Sequence, residues 1–68
     1  MYQFKYKVGT VLVSKRGVTA EILGHVQKGE ECEGYGAYDF ASYYVQLPGT
    51  VGVINVQHAE EGYWRPLS

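Results

Sequence analysis

The only thiol–imidazole pairing this 68-residue sequence offers is Cys32 with His25 or His58. A nucleophilic enzyme needs a base within reach of its thiol and a thiolate that is stable. Cys32 lies among Glu30, Glu31 and Glu33, whose negative charge suppresses a thiolate. A zinc site needs three or four ligands at suitable spacing, and His25, Cys32 and His58 form no such pattern. Gly34-Tyr35-Gly36 is not a phosphate loop, because no Lys-Ser or Lys-Thr follows and its neighbours are acidic. Glu60 and Glu61 are adjacent and read as solvated, not as an acid–base pair. His25 is expected on the polar face of a strand and His58 on a helical turn. The expectation is a protein that is not an enzyme and carries no metal or cofactor.

Binding chemistry is better represented. Residues 29–41 form a long segment without periodicity, and connections of that length in a small domain are commonly functional. It holds Glu30, Glu31, Glu33 and Asp39 with no base, and the aromatics Tyr35, Tyr38 and Phe40 among three glycines. Tyrosine with glycine is the chemistry of adaptable contact loops. The same aromatics could instead fold back over an open barrel end. Tyr43 shares a strand face with Val45 and Leu47 and is expected in the core, which leaves Tyr44 as an exposed aromatic. Trp64 beside Arg65 pairs two residue types enriched in interface hot spots, although Trp64 could also plug the fold. The expected partner-binding set is Tyr35, Tyr38, Asp39, Phe40, Tyr44, Trp64 and Arg65. The alternative is a nucleic-acid module using Lys5, Lys7, Lys15 and Arg16 with Tyr44 and Trp64. Bases are few for that, and the acidic loop would repel phosphate. Residues 1–28 carry five bases against Glu21, a balance of +4, and residues 29–68 carry Arg65 against six acids, a balance of -5. Such a division suits head-to-tail association or a mixed-charge partner.

These side chains need a scaffold, and the strongest pattern has period two. Val18, Ala20, Ile22, Gly24 and Val26 alternate with Thr19, Glu21, Leu23, His25 and Gln27, as a strand with one buried face requires. A β-rich run over residues 8–14 precedes it, and Lys15-Arg16-Gly17 makes a hairpin turn. Ser42 to Leu47 is a third strand, Pro48-Gly49 a turn, and Val51 to Ile54 a fourth. Asn55 caps one or two helical turns that Gly62 ends. Tyr63-Trp64-Arg65 is a last strand stopped by Pro66. The fold expected is all-β: a small five-stranded SH3-like barrel, one domain over residues 1–68, with a helical turn before the last strand.

Composition sets the outer limits. Near-neutral net charge, -1, argues against a dedicated DNA or RNA binder and against an acidic DNA mimic. No apolar run is long enough for a membrane span, and residues 1–5 lack a signal-peptide core. One cysteine forms no internal disulfide, so a reducing cytoplasm is the expectation. So short a chain buries only about 60% of its unfolded surface, which makes a homo-oligomer a reasonable further expectation.

Two resemblances follow from these residues. The run Val8-Gly9-Thr10-Val11-Leu12-Val13, a basic turn, a Val/Ile strand, the segment Asn55 to Gly62 and an aromatic last strand together resemble the small SH3-like proteins of bacteriophages. That resemblance implies an accessory protein that binds and modulates or inhibits a host protein in the bacterial cytoplasm. Pro48-Gly49-Thr50-Val51-Gly52-Val53-Ile54-Asn55-Val56 is similar to the Pro-Gly-Ser-Val-Gln-Ile-Tyr-Pro-Val stretch of plasmid-borne type II dihydrofolate reductases, which act as tetramers around a pore. The family's pore glutamine is Gly52 here and its tyrosine is Ile54. Its first-turn lysine falls near Ser14, with Lys15 one place on. Each departure removes a group that binds folate or nicotinamide, so this resemblance supports the fold and oligomerisation and speaks against reductase activity.

Overall fold

The computed structural model describes residues 1–31 and 37–67, so Cys32, Glu33 and Tyr35 lie outside the described residues. Five strands and one helix follow in order: β1 Val11–Ser14, β2 Thr19–Val26, β3 Ser42–Leu47, β4 Thr50–Asn55, α1 Val56–Glu60 and β5 Trp64–Pro66. All strands pair antiparallel in one sheet of order β4-β3-β2-β1-β5. The meander β1 to β4, with β5 returning beside β1 after a helical turn, is the strand order expected of an SH3-like barrel. Among the described residues no strand pairing joins the β4 and β5 edges. Helix α1 packs on β3, β4 and β5 and fills that gap.

The hairpin chemistry follows the residues. Gly17 takes φ 85° between β1 and β2, and Ser14 Oγ accepts the amide N–H groups of Arg16 and Val18. Gly49 takes φ 76° in the turn between β3 and β4. Asn55 Oδ1 accepts the His58 amide at 2.9 Å, satisfying one of the free donors of the first helical turn. The core cluster is Leu12, Ala20, Ile22, Tyr43, Val45, Ile54 and Ala59, with Phe4, Tyr6 and Trp64 packed against it. Leu12, Ile22, Tyr43 and Val45 have no exposed surface; removing each from water contributes about 1.5–3 kcal/mol.

Three boundaries differ from the sequence pattern. The first strand begins at Val11, because Gly9 takes φ 95° in a turn closed by the Thr10 amide donating to Lys7 O at 3.1 Å. Pro66 lies inside β5, opposite Leu12; an edge strand tolerates proline because its other side needs no amide donor. The segment after β2 is partly paired: the Gly29 amide donates to Tyr38 O at 2.8 Å, and Glu31 bridges Ala37.

Strand β2 carries a β-bulge. Ile22 opposes Val45, but Gly24 opposes Tyr44, so Leu23 is an extra residue on β2. Burial nonetheless keeps its alternation across the bulge, with Ile22 and Val26 buried and Leu23 and His25 exposed. His25 is thus exposed, as simple alternation gives it, yet its backbone opposes the buried Tyr43 and its ring reaches the N-terminal segment. There it stacks on Phe4, ring centroids 4.3 Å apart and planes within 4°.

Candidate binding groove

The segment after Ala37 returns to β3 with its backbone fixed by Ser42 Oγ, which donates to Phe40 O at 3.0 Å. That places half-buried Tyr38 and Phe40, 66% exposed, along one wall of a groove of ≈ 340 Å³. Val53 and Asn55 of β4, His58 of α1 and Trp64 of β5 supply the other walls. Trp64 is half-buried and packs against the core, so it holds its side of the groove rigidly. His58 stands edge-on to Tyr63, ring centroids 5.0 Å apart. Three of the aromatic residues selected from the sequence thus meet, from elements 24 residues apart in the chain or more. An aromatic-walled groove with a few polar edges suits an apolar or aromatic side chain of a ligand.

The remaining selected residues are dispersed. Asp39 turns to a different hollow beyond Phe40, shared with Lys28 and Glu30. Tyr44 is half-buried opposite Val53, not fully exposed, and does not line the groove. Arg65 is exposed and lines a hollow on the far side of Trp64 with Lys15. Lys5 and Lys7 lie in the N-terminal segment, with Lys5 Nζ 5.5 Å from the Tyr6 ring centroid, whereas Lys15 and Arg16 occupy the first hairpin turn. Gly52, where the reductases carry glutamine, accommodates Leu47: a Cβ there would come within 3.0 Å of Leu47 Cδ1. No known protein family, curated protein or solved structure matches this chain.

A second polar centre was not legible in the sequence. The N-terminal segment crosses the core face as a strap. The Gln27 side chain holds Tyr2 at both its amide and its carbonyl, at 3.0 and 3.1 Å. Phe4 packs on His25 and edge-on to Tyr43. The Tyr6 amide donates to Tyr43 Oη at 3.0 Å, and Tyr6 O contacts His25 Nε2 at 2.7 Å. The phenol groups of Tyr2 and Tyr43 both donate to the Glu60 carboxylate, and the Lys5 amide donates to it at 3.1 Å. Glu60 is therefore not simply solvated, as its position beside Glu61 suggests.

The electrostatics of this centre follow from those bonds. Partial burial pushes the Glu60 carboxyl up, but the donors from Tyr2, Tyr43 and Lys5 outweigh it and hold the group below its ordinary range. The hydrogen bond to Glu60 is the main reason the Tyr2 phenol is pushed up to about 12. Burial, then Glu60, raises Tyr43 further. At neutral pH all three groups are locked in their ordinary charge states. The arrangement fastens the strap to α1 and β3; it holds no proton poised for transfer.

Proposed function

We propose that this chain is a non-enzymatic binding module that docks on a host protein and modulates or inhibits it, as the bacteriophage accessory proteins it resembles do in the bacterial cytoplasm. The convergence of Tyr38, Phe40 and Trp64 on one groove carries this reading. Aromatic side chains on a rigid scaffold give large contact area at low entropic cost, which is how small interfaces reach useful affinity. The test is affinity capture from bacterial lysate with the wild-type chain and the Tyr38→Ala/Phe40→Ala variant. A protein retained by the first and lost by the second is expected. Identical capture by both would refute the groove as the contact surface.

A nucleic-acid module is the second reading, favoured by one observation. Lys15 and Arg65, 50 positions apart, share a hollow with Tyr63 and Trp64, so two cations adjoin two aromatic rings. Affinity for single-stranded nucleic acid falling steeply between low and high salt supports it, and no salt-sensitive binding removes it.

A further inference from the structure

Trp64 is a partition between two hollows of different chemistry. On one side is the groove of Tyr38, Phe40 and His58, whose lining among the described residues carries no Asp, Glu, Lys or Arg. On the other is a hollow of ≈ 380 Å³ with Val13, Lys15, Tyr63 and Arg65 in its lining, two cations and, among the described residues, no carboxylate. The register produces this: Arg65 lies opposite Val13 on β1, and the chain reaches Lys15 two residues later at the hairpin turn. The carboxylates Glu30 and Asp39 line a third hollow on the opposite side of Phe40, together with Lys28. Charge across the surface thus differs from hollow to hollow: cationic beyond Trp64, neutral and aromatic between Trp64 and Phe40, and mixed beyond Phe40.

We infer that the surface takes an extended protein segment carrying an apolar or aromatic side chain and, a short distance along, a carboxylate. This rests on the groove being the contact surface and adds the chemistry of the partner. The apolar side chain fills the groove and the carboxylate crosses Trp64 to meet Lys15 and Arg65. Residues two apart in an extended chain project about 7 Å from one another on the same side, a step suited to adjacent hollows. Arg65 offers a planar fork and Lys15 a point charge, which together can hold both oxygens of one carboxylate. Beyond Phe40, Lys28 stands beside Glu30 and Asp39, so the hollow of Lys15 and Arg65 is the favoured place for the carboxylate and the segment has one favoured polarity.

The sequence holds one tryptophan, so its fluorescence reports on the partition directly. The probes are a short amidated peptide, Asp-Asp-Gly-Phe-Gly-Gly, and its analogues with Asn or Lys in place of both Asp residues. We expect saturable binding of the Asp peptide, about fivefold weaker binding of the Asn analogue, as for an exposed charge pair, and none of the Lys analogue. Arg65→Glu should reverse the order, with the Lys analogue preferred. Amide NMR spectra of each variant confirm that it is folded. Equal binding of the three peptides that Phe40→Ala still abolishes would overturn the acidic partner and leave the groove reading standing. Peptide binding indifferent to both Phe40→Ala and Arg65→Glu would overturn both. A short oligothymidylate that displaces the Asp peptide and binds more tightly at low salt would assign the cationic hollow to nucleic acid and overturn the proposal.

Discussion

Replacing Glu60 by alanine should cost this domain a large share of its stability. The variant removes the acceptor for three donors: Tyr2 Oη, Tyr43 Oη and the Lys5 amide. Tyr2 and Lys5 are exposed and can turn to water, so each contributes only about 0.5 kcal/mol. Tyr43 is fully buried, and its hydroxyl would keep the Tyr6 amide as donor but lose its own acceptor. An unsatisfied buried donor costs about 1–3 kcal/mol. The total is about 2–4 kcal/mol. Stabilities of about 0.05–0.15 kcal/mol per residue place a domain of this size at roughly 3–10 kcal/mol. Urea unfolding at neutral pH, followed by Trp64 fluorescence, measures the loss directly. Tyr43→Phe removes the donor together with the need for its acceptor, so it should cost less than Glu60→Ala. The double variant should fall well short of the sum of the two, because both delete the same bond. A Glu60→Ala loss under about 0.5 kcal/mol, or strict additivity with Tyr43→Phe, would refute the account of the strap as fastened through this carboxylate.

The same centre sets a pH window. Glu60 titrates below its unfolded value of about 4.3, so its contribution is present above that pH and fades as pH falls through the lowered folded value. Tyr2 and Tyr43 titrate above their unfolded value of about 10, so their contribution is present below pH 10 and fades as pH rises toward about 12; wild-type unfolding curves across both ranges, with Glu60→Ala flatter at each end, check this. Asn55→Ala should cost about 1 kcal/mol in urea by removing the cap on the His58 amide. Gly49→Ala should cost about 1 kcal/mol, read in the same assay, because φ 76° disfavours a Cβ. Phe40→Ala should change stability by less than about 0.5 kcal/mol, since the ring is 66% exposed; thermal melting that shows otherwise would make Phe40 a packing residue instead of a contact residue.

The sheet was legible because its signals are local. The boundaries of β3, the turn at Pro48-Gly49 and the cap at Asn55 each rest on a few adjacent residues whose conformational preferences agree. The stacking of His25 on Phe4 was not, because it joins residues 21 positions apart and depends on the path of the N-terminal segment. The strap carried a usable signal: Tyr2, Phe4 and Tyr6 alternate with Gln3, Lys5 and Lys7, the pattern of a chain laid along a core. Glu60 carried none, since its partners lie 17 and 58 positions away and nothing beside it distinguishes it from Glu61. In the groove, Tyr38 and Phe40 were legible as aromatic residues of the long segment after β2, and Trp64 by its place beside Arg65 in the last strand. Asn55 and His58 gave no such sign, because their place in the wall depends on how α1 crosses the gap between the sheet edges.

The tie between Tyr2 and Glu60 also imposes an order of events during synthesis. A nascent chain can lay Phe4 on His25 once β2 has emerged, but Tyr2 and Tyr43 gain their shared acceptor only when α1 has left the ribosome, 58 positions after Tyr2. A product cut short within β4 would leave the buried Tyr43 hydroxyl without that acceptor, a defect for chaperones and proteases to act on that the finished domain does not carry.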